Sequence, residues 1–403
     1  MRVYQLNTAC GIRSTGRIAG AIADLLMQKG HSARIGHGIL PVPDHYKNIS
    51  YQIGGKWERK LHGALRKTLD GEGYGSFHAT KKLVSDIKTF SPDIIHLHNI
   101  HGCYLHFYTL FNYLQKLSTP IVWTFHDAWP FTGHCAFFDM VQCEQWKNGC
   151  SVCPQQKSYP VNYGFSGVKR NYAMKKELFS SLQNLTIVTP SIWLKELVQL
   201  SFLNHTPVDV IMNGVNTQTF SPQCTSHALR SRYALGNKKI VLGVAADWDN
   251  RKGLPYLIQA HNALKSTHAF VAVGLSSSQI DTLPEGFLGI ESTHNSEELA
   301  SWYAIADCLA NPTLEDNMPL VNLEALACGT PIAVFDTGGC AEVVNKHCGI
   351  VVPKGNGAAF IHAIKTITED TSSWSQACRN EALRYDEQYT YEAYISLYEA
   401  LLQ

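Results

Sequence analysis

Apolar positions along this chain come in two alternating kinds of run. Short, nearly continuous runs read as buried strands: Arg2–Asn7, then 91–99, 120–125, 186–188 and 208–212, and further on 240–245, 270–274, 289–290 and 331–335. Between them lie stretches with apolar residues three and four apart, such as Ile18, Ile22, Leu25 and Leu26, or the segments 192–200, 296–304 and 319–328. Those spacings predict helices with one buried face, and another starts at Leu254. Strand, polar or glycine-bearing loop and helix in repeated succession predict an α/β chain of doubly wound parallel sheets, with ligands beyond the carboxyl ends of the strands. The last helix, 390–402, carries Tyr391, Tyr394, Leu397, Tyr398 and Leu401 at helical spacing, a stripe that reads as core.

Composition changes this picture little. At 403 residues, 45% hydrophobic and 17% charged, the chain is ordinary globular material for two or three domains. A formal net charge of +1 gives no global pull toward nucleic acid or anionic membrane, so only local patches argue for either. Without a basic stripe interleaved with aromatics, nucleic acid is not an expected partner. Neither an apolar span of about 20 residues nor a signal peptide opens the chain, because residues 1–7 already read as a strand, and a cytoplasmic location is expected.

The stretch 310–344 carries the candidate chemistry. It reads as the end of a buried strand, a polar loop (Glu315, Asp316, Asn317), a helix, a strand and a glycine-bearing turn. Pro319 suits a first helical turn and Gly329 the left-handed position after the last one. Asp316 and Glu324 bracket the helix start, where free N–H groups favour an anion and carboxylates can accept from sugar hydroxyls. An ordinary α/β unit with surface acids is the competing reading. The pattern D-x7-E, followed by A-L-A-C-G-T-P-I-A and G-G-C-A-E-V-V, resembles the E-x7-E signature of the family-4-type retaining glycosyltransferases. These use nucleotide-sugar donors and have two Rossmann-like domains, the GT-B fold. Asp316 stands where the family usually has Glu, with Glu315 one residue early, and Pro319 replaces a small residue. N-G-V-N at 213–216 is similar to the family's N-G-V-D segment. It implies domains 1–214, on the acceptor side, and 215–385, binding the donor, with the C-terminal helix 386–403 packing back on the first. The resemblance covers nearly the whole chain and looks closest to enzymes of capsular, exopolysaccharide or colanic-acid-type synthesis.

The resemblance implies two domains facing across a cleft and transfer of a sugar to a glycan or polyprenyl-diphosphate-linked acceptor, with retention. The resemblance also implies that no catalytic metal is needed. Lys252, before Gly253, matches the family's phosphate-binding lysine. Arg251 is the available substitute for its arginine, near whose place Asp247 stands. These cations, with Asn317 and the N–H groups near Met318 and Leu320, would stabilise the leaving diphosphate. Glu324 would hold the ribose and Asp316 the donor-sugar hydroxyls. His126 would contact the sugar from the other wall, oriented by Asp127, and Gly16 is the candidate for close backbone approach to a phosphate or acceptor. His96 reads as a core imidazole. A nucleotide-sugar epimerase or hydrolase of the same architecture is the alternative activity, and a non-catalytic zinc-containing binding protein the alternative class.

Two further segments stand apart. Lys56–Leu69 places Trp57, Leu61, Ala64, Leu65 and Leu69 on one face, with Lys56, Arg59, Lys60, Arg66 and Lys67 elsewhere. It reads either as a solvated helix packed on its own domain or as a peripheral membrane contact. Of twelve cysteines, eight are scattered singly, as expected of buried reduced thiols, while Cys135, Cys143, Cys150 and Cys153 fall in a C-x7-C-x6-C-x2-C cluster. Four thiols in a loop with too little apolar content to fold alone form a structural-zinc pattern. Two disulfides, a redox pair and a loop of free thiols are the competing readings.

Overall fold

The computed structural model describes residues 1–224, 227–369 and 373–403. The chain divides into two compact units, Met1–Met212 with Tyr391–Gln403, and Asn213–Thr390.

In the first unit seven strands, β1 (Arg2–Asn7), β2 (Ser32–His37), β3 (Ser50–Gln52), β4 (Ile94–Leu97), β5 (Ile121–Thr124), β6 (Leu185–Thr189) and β7 (Val208–Val210), form one sheet in the order β3-β2-β1-β4-β5-β6-β7. All the pairings are parallel. Such a sheet needs cover on both faces, and β4, β5 and β6 are buried at every residue. Alternation sorts the side chains. Tyr4, Leu6, Ile95, Leu97, Ile121 and Trp123 join one core cluster with helices Phe77–Phe90, Phe107–Leu114 and Val168–Phe179. Val3, Ile94, Val122 and Val188 join another with Ile18, Ile22 and Leu26 of helix Arg13–Gln28 and with Tyr391, Tyr394 and Tyr398 of the final helix, Glu387–Leu401. Gln5, His96 and Thr124 therefore point to the same face as that tyrosine stripe. There Tyr398 Oη lies 2.6 Å from His96 Nδ1, and Tyr394 Oη 3.1 Å from Thr124 Oγ1.

The second unit repeats the plan. Strands β8 (Lys239–Val244), β9 (His268–Val273), β10 (Phe287–Ile290), β11 (Cys308–Asn311), β12 (Ile332–Phe335) and β13 (Gly349–Val352) run in the order β10-β9-β8-β11-β12-β13. Helices Leu254–Leu264 and Gly357–Glu369 cover one core with Leu257, Ala260, Phe360, Ala363 and Ile364. In both sheets the chain winds outward from a central strand in one direction and then, from its other neighbour, in the opposite one. The switch points fall between β1 and β4 and between β8 and β11, where open α/β sheets bind their ligands. Sequence periodicity places a helix at 319–328, whereas the helix is Leu320–Ala327. Pro319 is extended just before it, and Gly329 turns out of it with φ +78°.

Candidate functional site

At the second switch point two loops face each other, one after β8 and one after β11. Asp249 caps the first turn by accepting from Arg251 N, and Gly253 ends it with φ +73°. A Cβ at Gly253 would stand 2.1 Å from Pro312 O, so the close approach of the loops requires glycine there. The loops are stitched by Leu314 N donating to Arg251 O at 2.6 Å and by Thr313 Oγ1 donating to the same oxygen at 3.2 Å. This juxtaposition brings Lys252 Nζ to 2.5 Å from Asp316 Oδ2, while Asp316 Oδ1 accepts from Asn317 N at 2.8 Å. Arg251 turns to Asp249 instead, with Nε 2.9 Å and Nη2 2.8 Å from Oδ2.

The remaining residues named from the 310–344 stretch surround this pair. Glu315 is buried, unlike its neighbour Asp316. Met318 accepts Asn213 Nδ2 at its carbonyl, 2.9 Å away, and Asn213 N at Sδ, 3.3 Å away. Asn317 is buried, and its carbonyl accepts from Gly339 N at 2.7 Å. Leu320 starts the helix, and Glu324, in its second turn, is buried and accepts from Tyr303 Oη at 2.9 Å. An uncharged partner of this kind holds a carboxylate in place without neutralising it.

In the first unit His126 lies just beyond β5, partly exposed, with Nε2 3.1 Å from His98 Nδ1. Burial pushes the His126 pKa down to about 4, opposed by the charge of Asp127, and the ring is neutral at pH 7. Asp127 makes two bonds of its own. Its Oδ2 lies 3.1 Å from His101 Nε2 and its Oδ1 accepts from Trp129 N at 2.9 Å. Burial alone would raise the Asp127 pKa, but His101 and that N–H more than offset it and leave the group below the usual carboxylate range. His98, which His126 contacts, is itself 3.0 Å from Gln5 Oε1 through Nε2. Sequence reasoning missed Gln5 and His98 because each falls in or at the end of an apolar strand. Gly16 packs against the turn after β1, where a Cβ would stand 3.1 Å from Ala9 Cβ, so local packing is sufficient reason for glycine.

The four clustered cysteines are free thiols in one loop. That loop does not lack apolar content. Phe138 and Trp146 stack with ring centroids 4.9 Å apart and, with Ala136, Cys135 and Cys150, enter the core under the sheet. Cys150 Sγ accepts from Gly133 N at 3.2 Å. Cys153 is shifted down because Cys135 and the N–H of Gln155 donate to it, against the effect of burial. His134 Nδ1 lies 2.7 Å from Asp70 Oδ1, and its Nε2 is buried without a hydrogen-bond partner. Lys175, also buried, donates to the carbonyls of Trp129 at 2.6 Å and Thr132 at 3.0 Å. Burial pushes its pKa down to about 7, against the charges of Asp70, Cys135 and Cys150. Among the described residues the set of three candidate metal ligands with ligand atoms all within 4.8 Å of one another is His62, Glu72 and Cys103, so the clustered thiols stand wider than that. That set is satisfied internally. His62 bonds Ser76 Oγ and the N–H groups of Gly73 and Gly75, and Glu72 accepts from Gly102 N, Cys103 N and Cys103 Sγ.

Helix Lys56–Leu69 buries only His62 among its residues, and Trp57 and Leu61 are 80% and 75% exposed. The apolar stripe expected to pack inward faces solvent at these positions. Beside its C-terminal end, Tyr163 N and Phe165 N donate to Lys67 O and Thr68 O, both at distances under 3 Å, and both aromatic rings are exposed. Among the described residues no helix is long and apolar enough to cross a membrane.

Two parallel-sheet Rossmann-like units, each with its polar residues at a switch point, are the architecture of the GT-B glycosyltransferases. The model for Glycosyltransferase Family 4 matches residues 17–219, half of the chain, and that for Glycosyl transferases group 1 matches 238–370. The chain belongs to Glycosyltransferase Family 4 and is a transferase. It is 24% identical over 352 residues to the putative colanic acid biosynthesis glycosyl transferase WcaC of Escherichia coli (strain K12), across 84% of this chain and 83% of the relative. It is 26% identical over 202 residues to the N,N'-diacetylbacillosaminyl-diphospho-undecaprenol alpha-1,3-N-acetylgalactosaminyltransferase of Campylobacter jejuni subsp. jejuni serotype O:2, across 47% of this chain and 53% of that one. The structure of Anabaena Alr3699/HepE in complex with UDP-glucose has the same fold, with a TM-score of 0.68 at 15% identity over 99% of this chain and 100% of that one.

Proposed function

We propose that this chain moves a sugar, with retention and without a catalytic metal, from a nucleotide-sugar donor to a glycan or polyprenyl-diphosphate-linked acceptor in surface polysaccharide synthesis. The donor belongs to domain 215–385 and the acceptor to domain 1–214, with helix 386–403. The observation that carries the reading is the Lys252–Asp316 pair beyond the strand ends at the second switch point. A donor diphosphate competes with Asp316 for Lys252. Once displaced, Asp316 accepts hydrogen bonds from hydroxyls of the sugar that the diphosphate carries. Arg251 supplies a second positive charge, and Asn317 with the backbone near Met318 and Leu320 adds the field of the helix start. Glu324 accepts from the ribose, His126 hydrogen-bonds a substrate hydroxyl, and Gly16 leaves room for a phosphate or the acceptor. As the bond from sugar C1 to the diphosphate oxygen breaks, the acceptor oxygen attaches to C1 on the same face, and the acceptor's hydroxyl proton passes to the departing diphosphate oxygen. The charge left on the diphosphate falls on fixed cations, which is catalysis by preorganised electrostatics.

Three features extend the reading. The relatives named for colanic acid synthesis and for an undecaprenol-linked substrate support surface polysaccharide and a lipid-linked acceptor. An exposed Trp57–Leu61 stripe beside Lys56, Lys60 and Lys67, with Tyr163 and Phe165 alongside, suits a cytoplasmic protein that touches the inner membrane face. The thiols of Cys135, Cys143, Cys150 and Cys153 suit a structural zinc.

A screen of nucleotide sugars by thermal shift tests the reading, because a ligand at 100 times its dissociation constant stabilises by about 2.7 kcal/mol. The stabilising donor, incubated with lipid-linked saccharides and EDTA, is expected to yield a product with retained anomeric configuration. An inverted product or loss of activity with EDTA overturns the mechanism. New sugar nucleotide or free sugar in the absence of acceptor marks the epimerase or hydrolase instead.

A further inference from the structure

Beyond the strand ends of the first unit a buried polar pair holds an aromatic ring that stands half in solvent. The ring is Tyr159, 49% exposed, and its Oη lies 3.2 Å from His101 Nδ1. His101 follows β4 and Asp127 follows β5, next to the first switch point. On its other side His101 Nε2 lies 3.1 Å from Asp127 Oδ2, while Asp127 Oδ1 accepts from Trp129 N. Against the effect of burial, His101 and that N–H hold Asp127 below the usual carboxylate range, so it is a carboxylate and only accepts. His101 Nε2 therefore bears a hydrogen. A neutral ring then offers a lone pair at Nδ1 and takes the hydrogen of Tyr159, and an imidazolium reverses that bond without breaking it. Burial, with the charges of Asp127 and Glu72, pushes the phenol's pKa up, so Tyr159 keeps its proton. The backbone behind this tether is fixed as well, since His101 O accepts from Thr8 Oγ1 at 2.7 Å and the next two N–H groups donate to Glu72.

We infer that Tyr159, tethered by the positioning residues His101 and Asp127, is a stacking platform for a pyranose ring of the acceptor saccharide. The inference rests on the proposed placement of the acceptor on domain 1–214. Burying a carboxylate and an imidazole costs desolvation, and these two are 7% and 4% exposed. Water would satisfy a surface phenol without them, so what the pair adds is a fixed orientation. A rigid aromatic face that meets solvent suits a flat partner with an apolar side, and it loses little conformational entropy on contact. In a glycosyltransferase that partner is a pyranose, one face of which presents C–H groups. Membrane contact makes the opposite demand. Tyr163 and Phe165, at 70% and 79% exposure, offer more apolar area, and insertion among lipids needs area and not a set ring plane. The tether therefore separates Tyr159 in role from its two aromatic neighbours in the same segment.

Saturation-transfer difference spectra of the full chain, with a panel of methyl pyranosides as probes, need neither donor nor turnover. At least one probe is expected to receive saturation at the C–H groups of one ring face and to lose it in Tyr159→Ala. No transfer in the wild type, or transfer unchanged in Tyr159→Ala, overturns the platform. The tether is read in nitrogen-15 spectra of the histidines, with His101 assigned through His101→Gln. Tyr159→Phe is expected to move the Nδ1 resonance of His101, and an unmoved resonance overturns the tether. With lipid-linked saccharides in the transfer assay, Tyr159→Ala is expected to raise the acceptor KM by roughly tenfold, and Tyr159→Phe, which keeps the ring but frees it, by roughly threefold. The donor KM and the thermal shift given by the donor are expected to stay at wild-type values. A wild-type acceptor KM in either variant, or an equal rise in donor KM, overturns the assignment. Undiminished turnover in Lys252→Ala removes the donor reading and leaves the pyranoside spectra to decide the platform, so the two failures are distinguishable.

Discussion

Lys252 and Asp316 are 64 residues apart in sequence and 2.5 Å apart, Nζ to Oδ2, where the loops after β8 and β11 meet. In the proposed reaction Lys252 changes partner from a carboxylate to the leaving diphosphate. Lys252→Ala is expected to lower turnover by about 100- to 1000-fold, the usual loss for one preorganised group at a developing charge. Near-wild-type turnover in steady-state assays sinks the assignment.

Asp316→Asn and Glu324→Gln are expected to differ in kind. Glu324 is fixed on a helix by Tyr303 Oη, so its loss of charge should raise the donor KM by roughly tenfold with kcat little changed. Asp316 stands in the loop and should govern kcat. Glu315→Gln is the control for register. If it damages kcat while Asp316→Asn is silent, the signature is aligned one residue late.

The architecture was legible because parallel strands covered on both faces are runs of apolar residues, as in Ile94–Leu97 and Ile121–Thr124. Strands β2 and β3 carried no such signal, whereas the apolar run Gly349–Val352 of β13 did. Ser32–His37 interleaves Arg34, Gly36 and His37 with two apolar residues, and Ser50–Gln52 is only three residues long. These two become strands through pairing, as of Ile35 with Ser50. At the site the charged residues could be named from sequence, but the pairing across the two loops could not, since topology and not spacing brings Lys252 to Asp316. The same limit hid Gln5, His98 and Lys175. A lysine at helical spacing in Val168–Phe179 gives no sign that its ammonium ends buried on two carbonyls.

The histidine chain sets a pH dependence. His126, near 4, and His98 and His96, held well below their ordinary value, are neutral in the fold at neutral pH, because burial penalises the charged ring. An unfolded histidine takes up a proton as pH falls through about 6.5, so the unfolded state binds more protons below that pH and stability declines with acidification. Denaturant midpoints are expected to fall between about pH 6.5 and 4, with a shallower slope in His98→Gln. A wild-type midpoint that rises on acidification contradicts neutral rings in the fold.

Membrane contact through Lys56–Leu69 has a simple readout. Flotation with anionic vesicles is expected at low salt and to fade as salt screens Lys56, Lys60 and Lys67. Trp57→Ala with Leu61→Ala should weaken binding even at low salt, because these side chains are already exposed and their loss removes apolar area without emptying the core. Absence of binding at low salt, or binding indifferent to both sets of changes, removes the idea.

The cysteine loop offers the sharpest test of a structural zinc. Four reduced thiols stand in one loop beside a buried lysine, and zinc held by four thiolates carries a net charge of −2 that such a lysine offsets in part. The thiols stand wider apart than a closed set, so metal would draw them together around the Phe138–Trp146 stack that already docks the loop. Metal analysis of protein purified without a His tag is expected to find about one zinc per chain, lost in Cys150→Ser. His134 needs its own arm. With Nδ1 on Asp70 and Nε2 buried and unpartnered, it has the arrangement of a ligating histidine, so zinc retained in His134→Gln assigns the site to the four thiols, and zinc lost there replaces one of them by His134. A metal-free preparation with four titratable thiols in 135–153 and full activity refutes the zinc. In that case aromatic packing alone orders the loop.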